Sequence, residues 1–383
     1  MRNVYIVGVG QTPVGEHWDR GLRELGASAV RDAMADARVE RAGALYVGNM
    51  MGGCLNGQEN VATLLADAAG LLPIEAWKVE AACASGGAAV RAAALAVGSG
   101  AHDVAIAVGV EKMTDGMPET VTAGLATAAD QDFEASHGLS FVALSALLMR
   151  RYMHETGCSR EAFAPFAVNA HANGVTNAKA MFREEITAEE FTRSPIVASP
   201  IGILDAAPVC DGAAAVVVCS DDALRGHHKP VRVAASAVAT ATIDLASRED
   251  ILTLAAAATS AAKVYEKARL GPKDIDLFEA HDAFTIITAL SLEACGFARR
   301  GEALAIAAKG CIGRDGGCVP LSTFGGLKAR GHPVGASGAY QIVEAALQLR
   351  GEAGANQVPG ARRALTQSIG GHGSVAVTHV LES

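Results

Sequence analysis

Cys83-Ala-Ser-Gly-Gly opens an alanine-rich segment that runs to Val97 with Arg91 as its single charge. A cysteine just before a helix meets unsatisfied N–H groups and the positive end of the helix dipole, and both favour a thiolate. Ser85 is the expected N-cap of that helix, and Cys83 the expected nucleophile. Three histidines are candidates to serve it. His332 sits in a stretch (324–338) where Pro333 fixes the backbone and five glycines let a substrate approach the main chain; it can take the thiol proton. His281 lies in Glu-Ala-His-Asp-Ala-Phe (279–284), at the end of a predicted strand, where it can donate to an oxyanion or enolate. Asp282 would orient it or cap the next segment of chain. The third, His372, belongs with Ser368 to a Gly-rich turn between two predicted strands (367–381). There Gly370, Gly371, His372 and Gly373 offer further backbone donors for an oxyanion.

Bringing such distant stretches together takes more than one ordinary core, and a chain of 383 residues suits two units of similar size. Amphipathic helix-length segments alternate with short apolar runs, which predicts an α/β class. The alternation occurs twice. Helix, turn and strand follow one another at 27–50 and again at 259–282; a Gly-rich turn, helix and strand follow at 83–110 and again at 331–369. Two such units, stacked, would bring their matching loops together at the centre. The boundary is placed in the polar link 221–229, giving units 1–225 and 226–383. Residues 112–205 are expected to be an insertion folded over the first unit. Its Arg150, Arg151, Lys179, Arg183 and Arg193 would supply a basic surface to a chain of net charge -9.

That negative balance argues against a nucleic-acid binder, which needs a basic face. The N-terminus turns polar too soon for a signal peptide, and no apolar run is read as spanning a membrane. Eight scattered cysteines with no C-x-x-C and no histidine pair at ligand spacing argue against zinc. Free thiols and a cytoplasmic location are expected.

Taken in order, Cys-Ala-Ser-Gly (83–86), His-Asp-Ala-Phe (281–284), Gly-His-Pro (331–333) and Gly-Gly-x-Gly (370–373) resemble the four signature motifs of thiolases. Gly-Val-Glu-Lys-Met-Thr-Asp (109–115) and Cys-Asp-Gly-Ala-Ala-Ala-Val-Val-Val (210–218) are also similar to thiolase segments. The resemblance implies two βαβαβαββ halves in a five-layered αβαβα fold, with a loop domain that holds coenzyme A. It implies coenzyme A as substrate, no covalently bound cofactor and no metal, with acyl-CoA as the other ligand. It also implies a homodimer or homotetramer, for which the strand at 103–110 is expected to continue into a second subunit. Ser337, Gly338 and Arg183 are the expected substrate contacts.

The chain departs from the common thiolase pattern twice. His281-Asp282 replaces the usual Asn-Glu, and Ser368 replaces the cysteine of Cys-x-Gly. The histidine version is similar to sterol-carrier-protein and archaeal-type thiolases, but Ala283 stands where a cysteine often follows the His-Asp of the former. Both usual homes of an acid/base cysteine are thus empty, and a serine hydroxyl is too weak an acid to substitute simply. What remains is Cys83 with His281 and His332, similar to the set in β-ketoacyl synthases. The implied activity is acyl transfer that makes or cleaves a 3-ketoacyl-CoA such as acetoacetyl-CoA through acyl-Cys83. The α-carbon proton falls to His281 first and His372 second. Two alternatives stand beside it. One is a thiolase-like retro-aldolase, or an acyltransferase dependent on a small OB-fold zinc-binding partner. The other is a non-catalytic acyl-CoA-binding scaffold with an inert Cys83.

Overall fold

A computed structural model describes residues 2–224 and 226–383. The boundary expected at residue 225 therefore lies outside the described residues. The first half runs β1 (Val4–Gln11), α1 (Leu22–Ala37), β2 (Ala44–Gly48), β3 (Glu75–Val79), α2 (Ser85–Ser99) and β4 (Val104–Glu111). The insertion follows, with α3 (Phe141–Thr156) and α4 (Ala164–Val175) as its longest helices, and β5 (Gly212–Ser220) closes the half. The second half runs β6 (Val231–Thr240), α5 (Ala255–Ala268), β7 (Leu277–Glu279), α6 (Thr285–Ala294), α7 (Ser337–Arg350), β8 (Arg363–Gly370) and β9 (Val375–Glu382).

The repeat read from the sequence is present in the pairing. In the first half β2 runs parallel to both β3 and β4, β4 antiparallel to β5, and β5 antiparallel to β1. In the second, β7 runs parallel to β8, β8 antiparallel to β9, and β9 antiparallel to β6. Even the helix ends match: α1 and α5 both stop at an arginine in the left-handed region, Arg38 at φ 54° and Arg269 at φ 57°. The second half lacks a full third strand. Its place is taken by a single parallel bridge between Phe278 and Leu321. The two halves join edge to edge through two residue pairs, Tyr5 with Arg232 and Ile6 with Val231, giving one nine-stranded sheet in the order β3-β2-β4-β5-β1-β6-β9-β8-β7.

Layering follows from which faces are apolar. Leu22, Leu25, Ala29, Val30, Ala33 and Ala37 form the buried stripe of α1, which covers the outer face of β1 and β5. On the opposite outside, α5 covers β6 and β9. Between the two sheet halves lie α2 and α7, giving αβαβα. Strand β5 is buried along its whole length because both its faces are covered. The segment Ala82–Ser99 has a mean hydropathy of 1.2 over 18 residues, enough by length and composition to cross a membrane, contrary to the sequence reading. Here it is a core helix, apolar because it lies between two sheets.

The small residues of α2 and α7 let their backbones touch. A Cβ on Gly86 would stand 2.8 Å from both the Ala339 nitrogen and the Gly335 oxygen, and one on Gly338 would collide with the Gly87 nitrogen.

Three further expectations are corrected. The insertion packs over the first unit only at its start, where Met113 and Val121 join Met51 and Cys83; further along, Leu144, Leu148, Met149, Tyr152, Phe163 and Phe166 enter the same core as Phe278, Ile286 and Leu290 of the second half. The reason lies in α6, which is buried all round from Thr285 to Leu292 and needs a cover on the side away from the sheet. Strand β4 is paired on both edges and cannot extend into another subunit; the open edge is β3, where Trp77 is 61% exposed. Not all thiols are free either. A tight loop brings the Cα atoms of Cys311 and Cys318 to 4.6 Å, and the two are joined as a disulfide.

Gly338→Ala should lower stability by about 1–3 kcal/mol, the usual cost of overpacking a rigid contact. Its check is a lowered midpoint in thermal or denaturant unfolding. A midpoint equal to that of the parent would show that the helix pair can separate without cost.

Candidate active site

A cavity of about 330 Å³ opens where the two central helices begin, and Cys83, His281, His332, Gly371 and His372 all stand on its wall. Most of the rest is apolar, with Phe141, Phe284 and Ile287 among the lining side chains. Among the described residues no group of three or more His, Cys, Asp or Glu is arranged to hold a metal ion.

Cys83 is presented by a strained turn. Ala82, immediately before it, takes φ 50°, a conformation that costs a residue with a Cβ and that clusters at functional sites. Ser85 is not the N-cap: Ala84 holds that position without a side-chain bond. The Ser85 hydroxyl instead accepts from the Ala81 N–H at 2.9 Å and donates to the Ala82 carbonyl at 2.6 Å, bracing the strained turn.

The expected thiolate is also corrected. Burial, with the neighbouring Glu111 carboxylate adding to it, pushes the Cys83 thiol up to about 12, although its own N–H pulls the other way. Glu111 is itself pushed up to about 8 by burial, despite accepting from the N–H groups of Met50, Met51 and Gly335. At neutral pH it is therefore mostly protonated. Desolvation outweighs the helix end, and the resting nucleophile is a thiol that needs a base in the same step.

His332 is built to be that base. Its Nδ1 lies 2.7 Å from the Ser337 hydroxyl, which lies 3.3 Å from the Pro333 carbonyl. A carbonyl only accepts, so the serine proton points to Pro333 and His332 Nδ1–H donates to Ser337. Nε2 is left with its lone pair. Burial, His281 and Arg330 hold the ring well below the ordinary histidine range, so it is neutral at pH 7. Arg330 is fully buried, 2.9 Å from Glu344 and with its guanidinium 4.7 Å from the Tyr340 ring centre.

His281 meets His332 edge to face, with ring centres 5.1 Å apart. Burial, His372 and Arg330 push it down to about 3. Its Nδ1 is sealed in without a partner, so Asp282 does not orient it. Asp282 caps instead: its Oδ1 accepts from the Leu327 N–H at 2.7 Å, at the start of the turn Gly326–Arg330. The strand end that carries His281 is pinned by Gln341 of α7, whose amide donates to the carbonyls of Glu279, Ala280 and Gln367.

The turn at 370–373 is pressed against the Cys83 loop. Any side chain at Gly370 would strike the Ala81 carbonyl, and Gly371 takes φ 60°. Gly371 and His372 reach the cavity wall, whereas Gly370 and Gly373 do not. His372 Nε2 lies 3.0 Å from both the Phe141 carbonyl and the Ser145 hydroxyl of α3.

The expected substrate contacts fare differently. Ser337 and Gly338 are buried behind the wall, one orienting His332 and the other packing on α2, because both belong to the first turn of a helix enclosed on every side. Arg183 is exposed and off the wall. The expected basic surface is mostly spent on local pairs: Arg151 with Glu155, Arg193 with Glu189, and Lys179 turned inward onto the Gln11 carbonyl. Sequence reasoning passed over Glu111, Arg330, Gln341 and Ser145, whose roles depend on neighbours distant in the chain. Ser337, five residues after His332, was within local reach.

The family described as "Thiolase, N-terminal domain" matches residues 4–222, and "Thiolase C-terminal domain-like" matches residues 237–383. Over 99% of both chains the sequence is 46% identical to the acetyl-CoA acetyltransferase of Methanothermobacter thermautotrophicus. It is 38% identical to the benzoylsuccinyl-CoA thiolase subunit BbsB of Thauera aromatica, over 97% of this chain and 95% of that one. A solved structure described as the Ltp2-ChsH2(DUF35) aldolase superposes with a TM-score of 0.87 at 26% identity, covering 100% of this chain and 98% of that one.

With the thiol pushed up chiefly by burial, Cys83 is overwhelmingly un-ionised at pH 7. Alkylation of Cys83 by iodoacetamide should therefore be slow there and rise about tenfold per pH unit towards pH 10, followed by peptide mass spectrometry. A plateau near pH 7 would mean that the helix end wins over burial.

Proposed function

The chain belongs to the thiolase family and is a coenzyme A dependent acyltransferase, and we propose that it makes or cleaves a 3-ketoacyl-CoA such as acetoacetyl-CoA through an acyl group held on Cys83. The observation that carries the reading is the meeting of Cys83, His281 and His332, from three separate stretches of sequence, on one apolar cavity.

In the first half-reaction the Cys83 sulfur attacks the thioester carbonyl carbon while His332 Nε2 takes the thiol proton. The N–H groups of Cys83 and Gly371 receive the oxyanion as it forms. The tetrahedral intermediate collapses, and the departing coenzyme A sulfur takes the proton back from His332. In the second half-reaction another acyl-CoA occupies the cavity. His281, whose Nδ1 has no acceptor, carries its proton on Nε2 and donates it as a hydrogen bond to that thioester oxygen. The enolate carbon then attacks the acyl carbon on Cys83. Thiolysis is the reverse. The apolar walls exclude water that would hydrolyse the acyl-enzyme.

The assembly belongs to the same reading. The open edge of β3, with Trp77 exposed on it, suits a homodimer formed by strand pairing. The likeness to the Ltp2-ChsH2(DUF35) aldolase favours a second reading, in which a small partner protein is needed or carbon–carbon cleavage is an aldol one. A nucleophilic thiol on the cavity wall supports acyl transfer, since aldol cleavage needs none.

Mixing the protein with acetyl-CoA should give one acetyl adduct by intact-protein mass spectrometry, and Cys83→Ala should give none. Because burial lowers His332, its imidazole remains a competent base below the ordinary histidine value. The acylation rate should therefore hold steady from pH 8 down to pH 5 instead of falling through 6.5. Absence of coenzyme A dependent cleavage of acetoacetyl-CoA and of longer 3-ketoacyl-CoA esters would end the reading; cleavage only after adding a partner would favour the second.

A further inference from the structure

We propose that His372 is the catalytic acid/base at the α-carbon, taking over the proton transfer that a second cysteine performs in the common thiolase pattern; the assignment rests on the acyltransferase reading above.

The two positions where that cysteine is expected are unable to serve. Ala283 reaches the cavity wall but carries nothing to titrate. Ser368 is buried away from the wall, its hydroxyl packed against the glycines Gly87 and Gly338 where α2 meets α7. Among the described residues, the titratable groups on the wall are Cys83, His281, His332 and His372.

Hydrogen-bond accounting separates the three imidazoles. His332 donates from Nδ1 to Ser337, which leaves its Nε2 lone pair to take the Cys83 thiol proton in the acylation step proposed above. His281 has an Nδ1 sealed in without a partner, so its proton belongs on the nitrogen that reaches the cavity, which makes it a donor and not a base. His372 is the opposite case. Its Nε2 lies 3.0 Å from the Phe141 carbonyl, and because a carbonyl only accepts, the tautomer that satisfies this contact carries its proton on Nε2. Nδ1 is then a bare lone pair. Unlike His281 Nδ1, it is not among the sealed, unpartnered atoms.

The ring is also held still, as a catalytic base must be. Ser145 Oγ is a second contact for Nε2 at 3.0 Å, the Phe141 ring lies 4.3 Å away centre to centre, and Arg248 donates to the His372 carbonyl at 2.7 Å. Burial keeps the resting imidazole neutral, pushed down to about 3, so the lone pair is present at every working pH.

The step balances within the site. His372 Nδ1 takes a proton from the α-carbon of the second acyl-CoA, and the C–H electrons pass to the thioester oxygen, which His281 Nε2–H receives. The imidazolium forms beside the enolate, so the new charges offset each other. The α-carbon then bonds to the acyl carbon on Cys83, the carbon–sulfur bond to Cys83 breaks, and the sulfur takes from His372 the proton that left the α-carbon. No outside reactant is needed.

The test separates this step from acylation. His372→Gln keeps a donor towards the Phe141 carbonyl but has no base. Deuterium exchange into the methyl group of acetyl-CoA, and condensation to acetoacetyl-CoA, should fall at least about 100-fold, while acetylation of Cys83 stays within about threefold of the parent. In His372→Ala, added imidazole should restore exchange. Exchange in His372→Gln at the parent rate would overturn the assignment, as would parallel loss of exchange and acetylation without imidazole rescue, which is what a purely positioning residue would give. A parent that exchanges deuterium but never carries acetyl on Cys83 would instead strike the acyltransferase reading itself.

Discussion

The contact on which the rest depends is that of backbone on backbone between α2 and α7. Each half contributes one buried helix to the central layer, and the two touch where Gly86 and Gly87 face Gly335 and Gly338. Because side chains are absent there, the helix starts lie close together, and the loops that precede them share one cavity. Cys83 sits two residues before one helix and His332 five residues before the other. A methyl group at Gly338 would push these loops apart, so the packing of two helices and the geometry of the site are one constraint.

Burial then decides the chemistry. The same enclosure that brings the groups together removes water from them, and each is driven to its neutral form: the Cys83 thiol upward, the three histidines downward. Buried Arg330, beside Glu344, strengthens the effect on His281 and His332. A site of neutral donors and acceptors works by moving protons in concert with bond making, since a lasting charge in it would be costly. Tautomer, set by which ring nitrogen meets a fixed acceptor, becomes the property that distinguishes three similar imidazoles.

The insertion has two tasks that share one face. Its helices cover α6, which would otherwise expose apolar surface, and the start of α3 supplies Phe141 and Ser145 to the cavity and to His372. Stability of the second half and closure of the site are thereby coupled, although the insertion lies in the chain between β4 and β5 of the first.

Much of the architecture was legible in the residue pattern. Alternating apolar periods give α/β, their recurrence gives two like halves, and Cys83, His281, His332 and the turn at 370–373 stand out because glycine and proline mark the backbone around them. These are local signals, carried by neighbours in the chain. What the tertiary structure alone decided is everything that depends on which surfaces meet. It placed the long helices of the insertion on the second half, moved the open sheet edge from β4 to β3, turned Ser337 from a substrate contact into the partner of His332, and left Arg183 outside. It also reversed the state of Cys83. A helix start, readable from Cys-Ala-Ser-Gly-Gly, stabilises a thiolate by a local field, whereas desolvation comes from layers folded over it from both halves. No run of sequence records how much water those layers exclude.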